Sequence, residues 1–206
     1  MVRTIGVGSS VFACGWILMG LEIVGGRMLT PYFGGGTWVW GSIISLFLAA
    51  LSLGYFFGGL LSRRFPQVWA LAGIIVLAGA ALVPVALAYP LVNERIAEIG
   101  IHERWGSLLA ATTLFLLPSM LLGMVSPYSV RLVTHRVEDV GSHAGSLYAI
   151  STVGSCLGCL VTSFELILRF GIRQILLYSS AALLLTAVWL AGTWLLAVPR
   201  AERTGP

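Results

Sequence analysis

Glu22 and Arg27 stand on either side of a Gly25-Gly26 pair, in and just after a stretch, residues 5–24, with no other charge. A carboxylate within bilayer hydrocarbon costs on the order of 3 kcal/mol, so such a residue has a partner or a task. The chemistry open to Glu22 is the binding of a cationic group. Arg27 is a poor helical partner for it: the two lie about 140° apart on the wheel, and only i+3 and i+4 share a face. Gly26 does share the face of Glu22, so a neighbouring helix can pack beside the carboxylate. Unwinding at Gly25-Gly26 would bring Arg27 round to it. Arg27 itself reads as an anchor in the last turn of its helix, before Pro31, snorkelling to water and meeting the negative end of the helix dipole.

Glu165 is the other acidic residue beside an apolar run, four residues before Arg169, the favourable order for a helical ion pair. Two readings follow: an interfacial Glu165–Arg169 pair, or a cluster of Glu22, Arg27 and Glu165 that opens outward and holds a cation. Tyr148, Ser151, Thr152 and Thr162 would supply hydroxyls to that cluster if the fifth apolar run faces the first. Cys156 and Cys159 spell CxxC, but within an apolar run. The three histidines, His102, His135 and His143, fall in or near loops. This is no metal-ligand spacing, and three cysteines make no disulfide framework. No Ser/His/Asp or Cys/His set points to catalysis. The expectation is a protein without catalytic residues, metal or cofactor.

The elements that must position these residues are membrane spans. Of 206 residues, 58% are hydrophobic and 10% charged, against roughly 25% charged in a soluble domain. Mean hydropathy is +0.95. Six apolar runs can be drawn, at about 6–29, 38–61, 68–90, 106–125, 143–168 and 173–197, which makes one all-α integral membrane domain. The first run is long enough to read as a retained span rather than a removed signal. Pro31, Pro90 and Ser126-Pro127 are expected to end or interrupt helices, and Gly34-Gly35-Gly36 and Gly171 to make turns. Residues 91–105 carry Val92, Ile96 and Ile99 at helical spacing and predict a short amphipathic helix lying on the interface.

All twelve basic residues are arginine. Arg3, Arg63, Arg64, Arg131, Arg136, Arg200 and Arg203 share one side, and Arg95, Arg104, Arg169 and Arg173 the other. The positive-inside rule then puts both termini in the cytoplasm. Arg63, Arg64, Arg131 and Arg136 become candidate docking or headgroup-binding residues. No basic stripe fit for nucleic acid is present. Small residues four apart mark helix-packing faces: Gly54 and Gly58 in the second run, Gly154 and Gly158 in the fifth.

Three ordered stretches carry a family likeness: "LEIVGGRMLTPYFGGGTWVWGSIISLFLAALSLGYFFGGLLSRRFP", "LLGMVSPYSVRLV" and "GSLYAISTVGSCLGCLVTSFELI". Over about residues 16–175 the chain resembles the membrane domain of bacterial proteins in which a major-facilitator-like segment is fused to a spermidine synthase. The resemblance implies a six-helix half of the major-facilitator type in the bacterial inner membrane. Its motif positions include Glu22, Arg27, Pro31, Tyr128, Arg131, Tyr148, Ser151 and Ser155. The chain has no Gly-rich loop after a strand and no aminopropyltransferase domain, so that activity is not expected. The resulting expectation is a non-catalytic membrane subunit, a scaffold or anchor for a partner protein or larger complex. The alternative is a transporter or channel half for polyamines or other small cations, working as a homodimer.

Overall fold

The computed structural model describes residues 2–134 and 136–196. His135, Ala197, Arg200 and Arg203 lie outside the described residues. The structure is all-helical, and six helices are long and apolar enough to cross a membrane: α1 (Val2–Phe33), α2 (Thr37–Arg64), α3 (Val68–Glu98), α4 (Glu103–Val133), α5 (Val137–Arg169) and α6 (Ile172–Leu196). Helix is the economical state for such sequences, because in hydrocarbon each N–H and C=O must find its partner within the segment. Tight turns separate the helices where glycine takes left-handed backbone, at Gly34 (φ +81°) and Gly100 (φ +72°).

The prolines do not punctuate the helices as expected. Pro31, Pro90 and Pro127 all lie inside helices, as do Pro84 and Pro118. Proline's fixed φ suits a helix; what it forfeits is one hydrogen bond, and polar side chains can re-satisfy the backbone nearby. Next to Pro31, the Thr30 hydroxyl adds a bond to the Gly26 carbonyl at 2.7 Å, whereas the carbonyl that loses its helical donor to Pro31 is that of Arg27. The first span therefore runs to Phe33 rather than about 29, the third to Glu98 rather than 90, and the fourth to Val133 rather than 125. The predicted interfacial helix at 91–105 is a correction of the same kind. Residues 91–98 are the last turns of α3. Ile96 is buried there, and buried Asn93 donates to the Met28 carbonyl of α1 at 3.5 Å.

Three helix pairs organise the bundle. α1 runs parallel to α5, where Gly154 lies on the Phe12 carbonyl and Gly158 on the Trp16 carbonyl. A Cβ at either glycine would stand 2.3 or 2.2 Å from that oxygen, so the backbones touch directly. α2 runs parallel to α4 in the same manner, with Gly54 against Met120 and Gly123, and Gly58 against Met124. α3 packs on α6, where Ser180 donates to the Gly79 carbonyl at 2.7 Å. α1 and α4 form the centre, with 56% of their apolar windows buried, whereas α5 stands at the edge with 17%. The core between them is built from side chains such as Leu21, Phe47, Phe115, Leu82 and Leu183. Buried Tyr128 of α4 donates to the Phe65 carbonyl, with the Gln67 carbonyl 3.3 Å away, and so ties the α2–α3 turn to the bundle.

These contacts make sharp expectations. Gly158→Leu should lower stability by about 2 kcal/mol or more through overpacking, read as a loss of thermal midpoint in detergent. Gly73→Ala, where a Cβ meets open space, should be neutral or stabilising by up to about 1 kcal/mol. Tyr128→Phe should cost about 1 kcal/mol, the net worth of a buried hydrogen bond. An undiminished midpoint in Gly158→Leu would contradict backbone contact between α1 and α5.

Candidate functional site

Where α1, α2, α4 and α5 meet they enclose a cavity of about 210 Å³. α1 contributes Val11, Cys14, Gly15, Leu18 and Met19, which share one helical stripe. α2 contributes Leu51 and Tyr55, α4 contributes Ser126, and α5 contributes Tyr148, Ser151, Thr152 and Ser155. The parallel docking of α5 on α1 places these groups. Gly15 approaches the Ser151 carbonyl, and Ser155 donates back to the Gly15 carbonyl at 3.2 Å. Thr152 is occupied by its own helix, donating to the Tyr148 carbonyl at 2.8 Å.

The hydroxyls of Tyr55, Ser126, Tyr148 and Ser151 have no hydrogen-bond partner among the described residues. Tyr55 and Tyr148 are also 45% and 47% exposed, which places the mouth of the cavity at the α2–α5 edge. Four unpaired hydroxyls at mid-span are unfavourable against lipid chains. Water, a ligand or another protein must satisfy them.

Glu22 continues the lining stripe of α1 one turn beyond Leu18 and Met19, about 5.4 Å further along the axis. It is half-buried and has no ion pair or hydrogen bond among the described residues. Because α1 extends to Phe33, Glu22 lies eleven residues (22 to 33) from the helix end, about 16 Å rather than the 10 Å that an end near Leu29 implies. α1 is unbroken at Gly25-Gly26, so no unwinding swings Arg27 toward Glu22. Gly26 faces the Trp40 ring of α2 and Gly25 faces Phe115 of α4. Arg27 is exposed and makes no ion pair among the described residues.

Glu165 pairs with Arg169 at 2.6 Å, and both side chains are more than half exposed. Glu165 sits on a π-helical turn, Thr162–Leu166, whose buried Thr162 packs on Gly20 of α1, and Arg169 on the turn that follows it. The structure brings Tyr148 and Ser151 into one cavity, with Glu22 one turn beyond its lining on α1. Neither Arg27 nor Glu165 lines that cavity, and among the described residues Arg27 makes no ion pair with Glu22. Sequence reasoning missed Tyr55, Ser126 and Cys14, because nothing in their local spacing says which helices meet. Cys14, Cys156 and Cys159 are free thiols; Cys14 is buried in the cavity wall and Cys156 is exposed on α5.

No family model, no curated protein and no solved structure matches the chain.

Cavity hydration is testable by thiol labelling. With the three native cysteines replaced, Ser151→Cys should react with a small water-soluble methanethiosulfonate. Ser119→Cys, at a fully buried position, should not. Equal resistance of both would show a dry cavity.

Proposed function

We propose that the chain is a non-catalytic membrane subunit of the bacterial inner membrane, a half-major-facilitator-like bundle with both termini cytoplasmic, that scaffolds or anchors a partner protein. The observation that carries this reading is the edge position of α5. It meets the bundle through one narrow ridge, Leu147, Gly154, Gly158 and Thr162, and leaves its other sides open. Beside it open the unpaired hydroxyls of the cavity. A helix with this much small and polar surface, including Gly145, Ser146, Thr152 and Cys156, is suited to close packing against another membrane helix. Exposed Arg63, Arg64, Arg131 and Arg136 share one end of the bundle, and the orientation reading turns that end to the cytoplasm. The likeness of residues 16–175 to the membrane part of spermidine-synthase fusions supports a role beside a soluble enzyme.

The test is purification from the native membrane in mild detergent, followed by mass spectrometry of bound proteins. A stoichiometric partner, cross-linked through Cys156, is the expected result. A chain that emerges alone and monomeric would sink the scaffold reading.

The partnerless Glu22 beside the hydroxyl cavity favours a second reading: half of a small-cation transporter, completed by a second copy around a shared mid-membrane site. A homodimer linked through Cys156, with polyamine flux in proteoliposomes that Glu22→Gln abolishes, is what this reading requires. Unchanged flux in Glu22→Gln removes it.

A further inference from the structure

The end of the bundle that holds the start of α1 and the end of α4 contains a second cavity, of about 410 Å³. Its wall includes Arg3 and Thr4 of α1, Pro66 of the α2–α3 turn, Arg131 of α4, Thr134 just beyond it, and Trp194 of α6. Its size falls within the range of small-molecule sites. Among the described residues no carboxylate lines it; Glu138 and Asp139 are exposed on the turn that opens α5.

Three features give the cavity its chemistry. The Arg3 guanidinium lies 4.6 Å from the centre of the Trp194 ring, a cation–π contact that fixes it at the rim. Arg131 makes no ion pair among the described residues, so its donors remain available. The Thr134 hydroxyl is buried and has no hydrogen-bond partner among the described residues. Two guanidinium groups and threonine hydroxyls around one void match the oxygens of a phosphate, which arginine binds through paired charge-assisted hydrogen bonds. Arg63 and Arg64, exposed at the same end, add a positive field that draws anions there.

We propose that this cavity binds a phosphate group, carried either by an anionic phospholipid headgroup at the bilayer surface or by free phosphate. This site is independent of the α5 face and of the hydroxyl cavity.

The test titrates the purified full chain, in neutral detergent, with phosphatidylglycerol mixed micelles and with inorganic phosphate. Each is compared with chloride at equal ionic strength and with phosphatidylcholine micelles, and the thermal midpoint is the readout. A rise with phosphatidylglycerol alone assigns the headgroup, whereas a rise with inorganic phosphate assigns the free ion. Arg131→Gln should weaken the effective ligand by about tenfold or more. Arg173→Gln, at an exposed position outside the wall, should leave it unchanged. Both variants are exposed-site changes whose midpoints without ligand report that they fold. The proposal is overturned if neither phosphate source moves the wild-type midpoint, if phosphatidylcholine moves it as far as phosphatidylglycerol, or if Arg173→Gln weakens binding as much as Arg131→Gln.

Discussion

Direct contact between helix backbones sets the geometry on which the rest of this bundle depends. Lipid chains are as apolar as leucine, so helices gain nothing from merely hiding apolar side chains from one another. Association has to come from van der Waals contact at short range, and Gly154, Gly158, Gly54 and Gly58 provide it by removing the atoms that would stand between backbones. Both pairings join parallel helices, α2 and α4 with one helix between them in sequence and α1 and α5 with three. Their combined effect is to fix α5 on α1 and α2 on α4. The hydroxyl cavity is the space left where these two pairs meet.

That arrangement explains which parts of the fold were legible in the sequence. The number and approximate position of the helices follow from apolar run length, a property of each segment alone. Helix ends were misread at Pro31, Pro90 and Pro127, because rules drawn from helices in water treat proline as a boundary. In hydrocarbon the alternative to a helix with one missing bond is open backbone with many, so the helix continues. Glu22 stood out in sequence because its cost depends only on being charged and deep. The Glu165–Arg169 pair was equally legible, since both residues belong to one helix. Tyr55 and Ser126 were invisible as site residues, because their role exists only once α2 and α4 have been brought beside α1 and α5.

Polarity is distributed unevenly through the bundle, and each concentration has a different physical status. Hydroxyls that lack partners among the described residues surround a small space, with the carboxylate of Glu22, also without a partner among them, one helical turn beyond it on α1. Such groups are weak ligands individually, and they favour close contact with something that can both donate and accept. At the arginine-bearing end, full charges sit near bulk water, where their desolvation cost is small and their field reaches outward. The tie from Tyr128 to the Phe65 carbonyl lies between these regimes. It satisfies a buried phenol and fixes the turn that brings Pro66 into the wall of the phosphate cavity.

The pairing of α1 with α5 also has a consequence in time. Trp16 and Gly158, which meet in the finished bundle, are separated by about 140 residues of chain, and synthesis at roughly 5–20 residues per second delivers the second some 7–30 s after the first. Throughout that interval the glycine-receiving face of α1 and the carboxylate of Glu22 are in the membrane without the helix that covers part of them. The helices made in between, α2 to α4, must assemble around an incomplete α1. The last two helices then close the structure from both flanks, α5 on one side and α6 on the other. Until α5 is made, nascent chains of this protein therefore carry an α1 whose glycine-receiving face is uncovered.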